Sequence, residues 1–371
     1  MSDSSSNRFN LNDRNIRIPA SVKPLFDQFM RDTHVTYGPD GLYYLTGTTP
    51  CPGRTNIWDY NDGIRLWRSP DLRNWEPMGL VYSVERDGTW QREFGGVCCE
   101  GVSPTGEAYE GKTGAVWAPE IHYIRSRQTW MLAACISDHS NRRSGSFLLR
   151  SASGRPEGPY ANIAACRDAP LDPHIDVSLF EDDDGTVYYL ALNRFIARMK
   201  DDLSGLAEDL REVVQTPWPQ EYWNEGVYMV KHGGKYHLLQ TFWSRRNADG
   251  SFEYANAAQD AERYAYDGIV ASADSVYGPY GQRYPAIVGG GHNNLFRDAQ
   301  GRWWTAIFGN PRGAAAEVNA FDGRTAYICR PMIVPMTWEA GRLMVDRDSL
   351  FPRRHAKQSF RSLNASAAEE P

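Results

Sequence analysis

The sequence predicts an all-β chain folded as a five-bladed β-propeller. Three observations carry this. A hairpin pattern returns five times along the chain, a third-strand element follows it in three of the units, and helical periodicity is scarce. Radial repetition of small antiparallel sheets is the architecture such repeats build.

Each hairpin is an apolar strand, a tight turn, and a second strand rich in aromatics. The copies are Val35 to Leu45, Ile121 to Leu132, Val177 to Leu190, Val227 to Leu238 and Asn294 to Thr305. Asp-Gly and Gly-Gly pairs at the turns favour reversal of the chain. The third-strand element reads Leu66 to Trp75, Leu149 to Tyr160 and Val270 to Tyr280, each running into a turn rich in Pro, Gly or Asp. Spacing between units is uneven. Val81 to Gly114 and Arg245 to Asp267 read as insertions that shape a binding face. The same strands could instead form a sandwich or a two-domain all-β protein. The boundaries expected are an extension over 1–26, the propeller over 27–352 and a polar tail over 353–371.

Composition narrows the function classes. The net charge is −6 and no long basic run occurs, which argues against nucleic acid or an anionic membrane as partner. No apolar run reaches the roughly 20 residues that span a bilayer. Met1 to Arg17 is polar and lacks the apolar stretch of a secretory signal, so the sequence as it stands reads as cytoplasmic. A removed signal would make it periplasmic or secreted. Cys51, Cys98, Cys99, Cys135, Cys166 and Cys329 show neither a CxxC pair nor regular spacing, and are expected as free thiols rather than a disulfide framework or zinc site. The sequence leaves the oligomeric state open.

Three acids occupy comparable places in three repeats. Asp32 lies just before the first strand of unit one, Asp176 before that of unit three, and Glu225 before that of unit four. The innermost strand of each propeller blade lines the central channel, so these carboxyls should converge at one mouth of it. Converging carboxylates raise one another's pKa, which lets one act as acid while another stays ionised as base. Glycoside hydrolysis uses such a pair.

With these residues in view, the sequence resembles glycoside hydrolase family 43, over about residues 30 to 346. Met30-Arg31-Asp32-Thr33-His34, Ile175-Asp176-Val177-Ser178-Leu179-Phe180 and Glu225-Gly226-Val227 are similar to three family motifs, with Thr or Val where the family places Pro. The resemblance implies a five-bladed propeller and an inverting mechanism. It implies Asp32 as base, Asp176 as the acid that tunes and orients its partner, and Glu225 as general acid. Trp117-Ala118-Pro119-Glu120-Ile121 matches the opening of blade two, where Glu120 is expected to be structural. His292, in Gly291-His292-Asn293-Asn294, is expected to line the pocket, and Arg330 to contact the sugar.

No cofactor is expected to be required. The resemblance points to calcium or another cation in the channel near His292. Asp182-Asp183-Asp184-Gly185 resembles part of a calcium loop but is explained as a hairpin turn. Trp58, Trp90, Trp117, Trp223 and Trp243 are candidates for stacking on a sugar, with Trp117 and Trp223 placed best. Trp303 and Trp304 share a repeat position with Tyr43, Tyr44, Tyr188 and Tyr189, and are expected in the core.

The function expected is exo-acting, inverting hydrolysis that releases an arabinofuranose, xylose or galactose type of sugar from oligo- or polysaccharide. The alternatives are an algal-galactan-type propeller hydrolase releasing anhydrogalactose and a non-catalytic carbohydrate-binding propeller. The second of these predicts loss of one of the three acids, and all are present. Inversion places the Asp32 and Glu225 carboxyls about 6.5–9.5 Å apart, with room for a water between them.

Overall fold

A computed structural model describes residues 18–19, 21–51, 61–96, 114–137, 143–216, 225–246, 252–254, 264–310 and 329–350. The strands form five antiparallel sheets, each built from one continuous stretch of chain. Blade one is β1 (Arg31–Tyr37), β2 (Tyr43–Thr48), β3 (Gly63–Ser69) and β4 (Glu76–Ser83). Blade two is β5 (Ala115–Ile124), β6 (Thr129–Ser137), β7 (Ser144–Ser151) and β8 (Tyr160–Asn162). Blade three is β9 (Val177–Glu181), β10 (Val187–Ala191), β11 (Phe195–Arg198) and β12 (Arg211–Glu212).

Blade four is β13 (Glu225–His232), β14 (Lys235–Arg246), β16 (Ala265–Ala273) and β17 (Tyr284–Ile287), with β15 (Phe252–Tyr254) paired to the end of β14. Blade five is β18 (Asn294–Arg297), β19 (Trp303–Phe308), β20 (Pro331–Glu339) and β21 (Arg342–Val345). All five hairpins read from the sequence are the first two strands of a blade, and the three Pro/Gly-ended elements are third strands. The inner strands touch in a cycle, β1 to β5 to β9 to β13 to β18 and back to β1, which closes the ring.

The core lies between blades. Every residue of β6 is buried, because a blade interior is covered by a neighbour on both faces. Its run Thr-Trp-Met-Leu-Ala-Ala-Cys-Ile-Ser is accordingly apolar from Trp130 to Ile136 instead of alternating. Outermost strands are shorter or wetter: both residues of β12 are exposed. Trp130 shows how blades lock together. Its ring meets Tyr44 of blade one at 4.9 Å and Tyr123 of its own blade at 5.1 Å. Trp130→Ala is expected to cost about 3–5 kcal/mol in denaturant unfolding. Activity per folded molecule should persist, and a loss below about 1 kcal/mol would contradict this packing account.

Ring closure uses the stretch before β1. The Leu25 amide donates to the Pro331 carbonyl and the Met30 amide to that of Cys329, at 2.9 Å each. Asn294 completes the seam by bonding both the amide and the carbonyl of Val35, at 3.1 and 2.8 Å. The insertion read over Val81 to Gly114 starts later than expected, because Val81 to Ser83 belong to β4. Likewise Arg245 to Asp267 is not wholly a loop: β14 runs to Arg246 and β16 begins at Ala265. Among the described residues no helix is long and apolar enough to cross a membrane.

Candidate active site

The same backbone device opens the inner strand of every blade. Asp32, Ala118, Asp176, Gly226 and His292 sit at equivalent places with φ of 52°, 44°, 55°, 61° and 49°. In blades one, two and four this left-handed residue falls within a register shift, between Arg31 and His34, Trp117 and Glu120, and Glu225 and Val227. Such a bulge bends the strand and re-aims its side chains. Left-handed φ is costly for residues other than glycine, and such strain collects at functional sites. Here the turn directs Asp32, Asp176 and His292 to one place.

Contacts between blades hold these turns. The Thr48 hydroxyl, opposite Arg31 on β2, accepts the Ala118 amide of the next blade at 2.8 Å. Thr241, opposite Glu225 on β14, accepts the His292 amide at 2.6 Å. Cys135 is opposite Trp117 and its sulfur meets the Asp176 backbone. Between blades three and four the acid does this itself: Asp176 Oδ2 accepts the Gly226 amide at 3.0 Å. A Cβ at position 226 would lie 2.7 Å from the Thr241 hydroxyl and 3.1 Å from the His292 ring. Gly226→Ala should therefore shift Glu225 and lower kcat with little change in fold, and unchanged kcat would refute that positional role.

The three acids and His292 form one cluster. His292 Nδ1 is 3.1 Å from Asp32 Oδ1 and 3.9 Å from Asp176 Oδ2. Asp176, Glu225 and His292 each bring a ligand-type atom within 4.8 Å of the others. Thr48 donates to Asp32 Oδ2 at 2.6 Å, and Arg31 lies 3.8 Å from the same oxygen. The Tyr266 hydroxyl donates to Glu225 Oε1 at 2.7 Å.

Electrostatics divides the carboxyls. Burial alone would raise Asp32, but the charges of Arg31 and His292, with hydrogen bonds from His292 and Thr48, hold it well below the usual range. Asp176 is pushed up to about 7, by burial first. His292 and the Gly226 amide oppose that rise, while Glu225 and Asp32 add to it. Burial would lower His292, but Asp176, Asp32 and Glu225 overcome it and raise the imidazole to about 10.

His292 Nδ1 is turned to Asp32 Oδ1, as in a hydrogen-bonded ionic pair. Asp176, Glu225 and His292 also offer donor atoms close enough to share one cation.

The remaining candidates divide. Trp117 is buried beside Asp32, and the Arg31 guanidinium lies 5.6 Å from its ring centroid, so a protein cation shares the face expected to meet sugar. Trp90 is not a platform: it packs on Phe94 and Phe147, and its Nε1 donates to the Cys166 carbonyl at 3.0 Å. Trp243 is buried against Tyr266, at 5.1 Å, behind Glu225. Arg330 lies over Phe29 at 3.8 Å, and its Nε donates to Asp27 at 2.6 Å. Trp58, Trp223, Cys98 and Cys99 lie outside the described residues.

Glu120 is structural as expected, one layer further along the channel, accepting from His122 at 2.7 Å and Ser178 at 2.6 Å. Asp182 is a turn residue that also binds Lys231 at 2.6 Å and Tyr236 at 2.5 Å. Cys135 and Cys166 are buried thiols. Tyr266, Thr48, Thr241 and Arg31 are the site residues that sequence reasoning missed. Their only signal was position, opposite or beside a bulge that the sequence does not announce.

Comparison with known proteins decides the family. The profile of Glycosyl hydrolases family 43 matches residues 21–342. The chain belongs to this family. A protein of Escherichia coli (strain K12) provisionally named a beta-xylosidase is 23% identical over 302 residues, 71% of this chain and 48% of that protein. A Butyrivibrio fibrisolvens protein named xylosidase/arabinosidase is 25% identical over 264 residues, 67% of this chain and 44% of its own length. The chain thus spans about half the length of the curated relatives it matches.

Among solved structures, a thermostable family-43 glycoside hydrolase superposes with a TM-score of 0.57 at 22% identity, covering 86% of this chain and 93% of that one. A Xanthomonas citri enzyme of the family, complexed with xylotriose, gives a TM-score of 0.58 at 18% identity over 87% of this chain and 92% of that one. At such identities the likeness speaks for the shared propeller.

Proposed function

We propose that this propeller is an inverting glycoside hydrolase that removes a terminal pentose, xylose or arabinofuranose, from an oligosaccharide. The observation that carries the reading is the cluster of carboxyls from blades one, three and four around His292, in which Asp32 is held ionised while Asp176 is pushed up to about 7. The pentose comes from the names of the relatives.

In this reading Asp32 draws a proton from a water that attacks the anomeric carbon. Glu225 gives its proton to the departing oxygen on the other side of the ring, so bond making and breaking occur in one displacement. Tyr266 occupies Glu225 Oε1, so the proton delivered sits on Oε2. Asp176 grips the Gly226 amide beside Glu225 and fixes where the acid points. Arg31, over Trp117 and beside Asp32, walls the water side.

The test is stereochemical. Proton NMR of an aryl xyloside or arabinofuranoside digest should show the opposite anomer as the first-formed sugar. Retention at that carbon would overturn the two-carboxylate displacement. No release from either glycoside, or from xylo- and arabino-oligosaccharides, would overturn the pentose assignment.

The pH profile gives a second check. The charge of Glu225 is one of the causes that raise Asp176, and like charges so placed disfavour ionisation. Asp176→Asn keeps an oxygen for the Gly226 amide and removes the repulsion. The alkaline limb of kcat/KM should move to lower pH, and an unmoved limb would exclude this tuning role.

A further inference from the structure

One layer below the acids, the channel carries a second cluster that the reaction does not use. His34 on β1 and Glu120 and His122 on β5 each offer a ligand atom within 4.8 Å of the other two, and all are buried. Glu120 and His122 are two residues apart on one strand and so share its channel-facing side. His122 Nε2 is 2.7 Å from Glu120 Oε2, and His34 Nε2 is 3.6 Å from that same oxygen.

His34 is the anomaly. It is 1% exposed, yet neither of its ring nitrogens has a hydrogen-bond partner. A buried polar group left unpaired is costly, and native proteins satisfy such groups with protein, water or an ion.

We propose that His34, Glu120 and His122 bind a divalent transition-metal ion of the zinc class. Two imidazoles and one carboxylate are a zinc donor set, whereas calcium and magnesium prefer all-oxygen shells. The 3.6 Å between His34 and Glu120 is too long for a hydrogen bond but close to the spacing of two ligands on one tetrahedral ion. Ser178, donating to Glu120 Oε2 at 2.6 Å from blade three, supplies the outer hydrogen bond that orients a ligating carboxylate. The ion would pin β1 to β5 and thereby blade one to blade two. It stands apart from the acid cluster and independent of the proposed hydrolysis.

The experiment uses the untagged full chain, stripped with a chelator, equilibrated with zinc chloride and desalted. Elemental analysis should find about one zinc per chain, and thermal stability should rise with free zinc because the ion binds only the folded state. His34→Ala and His122→Ala should retain none, and Ser178→Ala should bind zinc about 10–100-fold more weakly. Wild-type protein that retains no zinc overturns the proposal, as does retention that survives His34→Ala. Should the histidine variants fail to fold, cobalt titration of the wild type decides. The visible bands of tetrahedral cobalt, displaced by zinc, are expected, and their absence refutes the site.

Discussion

Glu225→Gln is expected to cut hydrolysis of a natural pentose oligosaccharide by about 10²–10⁴-fold while sparing much of the rate on an aryl glycoside. A sugar alkoxide leaves poorly and needs the proton that Glu225 supplies; an activated phenolate leaves without it. Asp32→Asn should harm both substrates alike, since water must be activated whatever departs. Both replacements are nearly isosteric. Asn at 32 can still accept from Thr48, and Gln at 225 can still accept from Tyr266. Circular dichroism and melting should therefore match the parent for Glu225→Gln, and kinetics alone should separate the roles. Equal loss on both substrates in Glu225→Gln, or natural activity surviving in Asp32→Asn, would reassign acid and base.

The sequence made the propeller legible because each hairpin announces itself locally. A Gly or Asp turn between an apolar and an aromatic strand needs only short-range chemistry, as at Asp40-Gly41 and Gly233-Gly234. The acids were legible for a related reason: Asp32 and Asp176 share one position at the start of their inner strands, Glu225 stands one residue before the equivalent Gly226, and a cyclic array turns such near-equal register into convergence. The missing prolines after these positions put their placement in question. The structure removes that concern, since Asp176 and Gly226 adopt their left-handed turns with valine following.

What stayed hidden depends on partners distant in sequence. Tyr266 lies 41 residues beyond the Glu225 it contacts, inside a stretch whose composition resembles a loop. Its place on β16 is dictated by pairing with β14, which brings Trp243 opposite Tyr266. Trp90 illustrates the opposite error. An aromatic in an apparent insertion resembles a binding platform, but a short 3-10 segment, Trp90–Gly96, folds it onto Phe147. Arg330 matches a motif by position, yet Asp27 and Phe29 from the closing segment engage it. His34 and His122 carried no signal until β1 and β5 were placed side by side.

His292→Gln is expected to destabilise the fold by about 3–5 kcal/mol at neutral pH, the usual cost of stripping one partner from a buried ionic group. The imidazolium lies between Asp32 and Asp176, both buried, and without it two carboxylates face one another with no cation between them. Its folded pKa of about 10 exceeds the ordinary 6.5. The stabilisation it gives is therefore complete below about 6.5 and is lost as pH rises through about 10. Asp176 also has a raised pKa, so its contribution is largest below its ordinary 3.8 and fades as pH rises through about 7. Wild-type stability should thus decline from neutral to alkaline pH, and NMR should find the His292 ring protonated well above pH 8. A fold defect unrelated to charge is separated by a double variant. Adding Asp176→Asn to His292→Gln removes one of the stranded carboxylates, so it should recover a large part of the loss, a coupling that a double-mutant cycle reads directly. If His292→Gln costs under about 1 kcal/mol, or if Asp176→Asn destabilises the His292→Gln protein further, the imidazolium is not what holds these acids together.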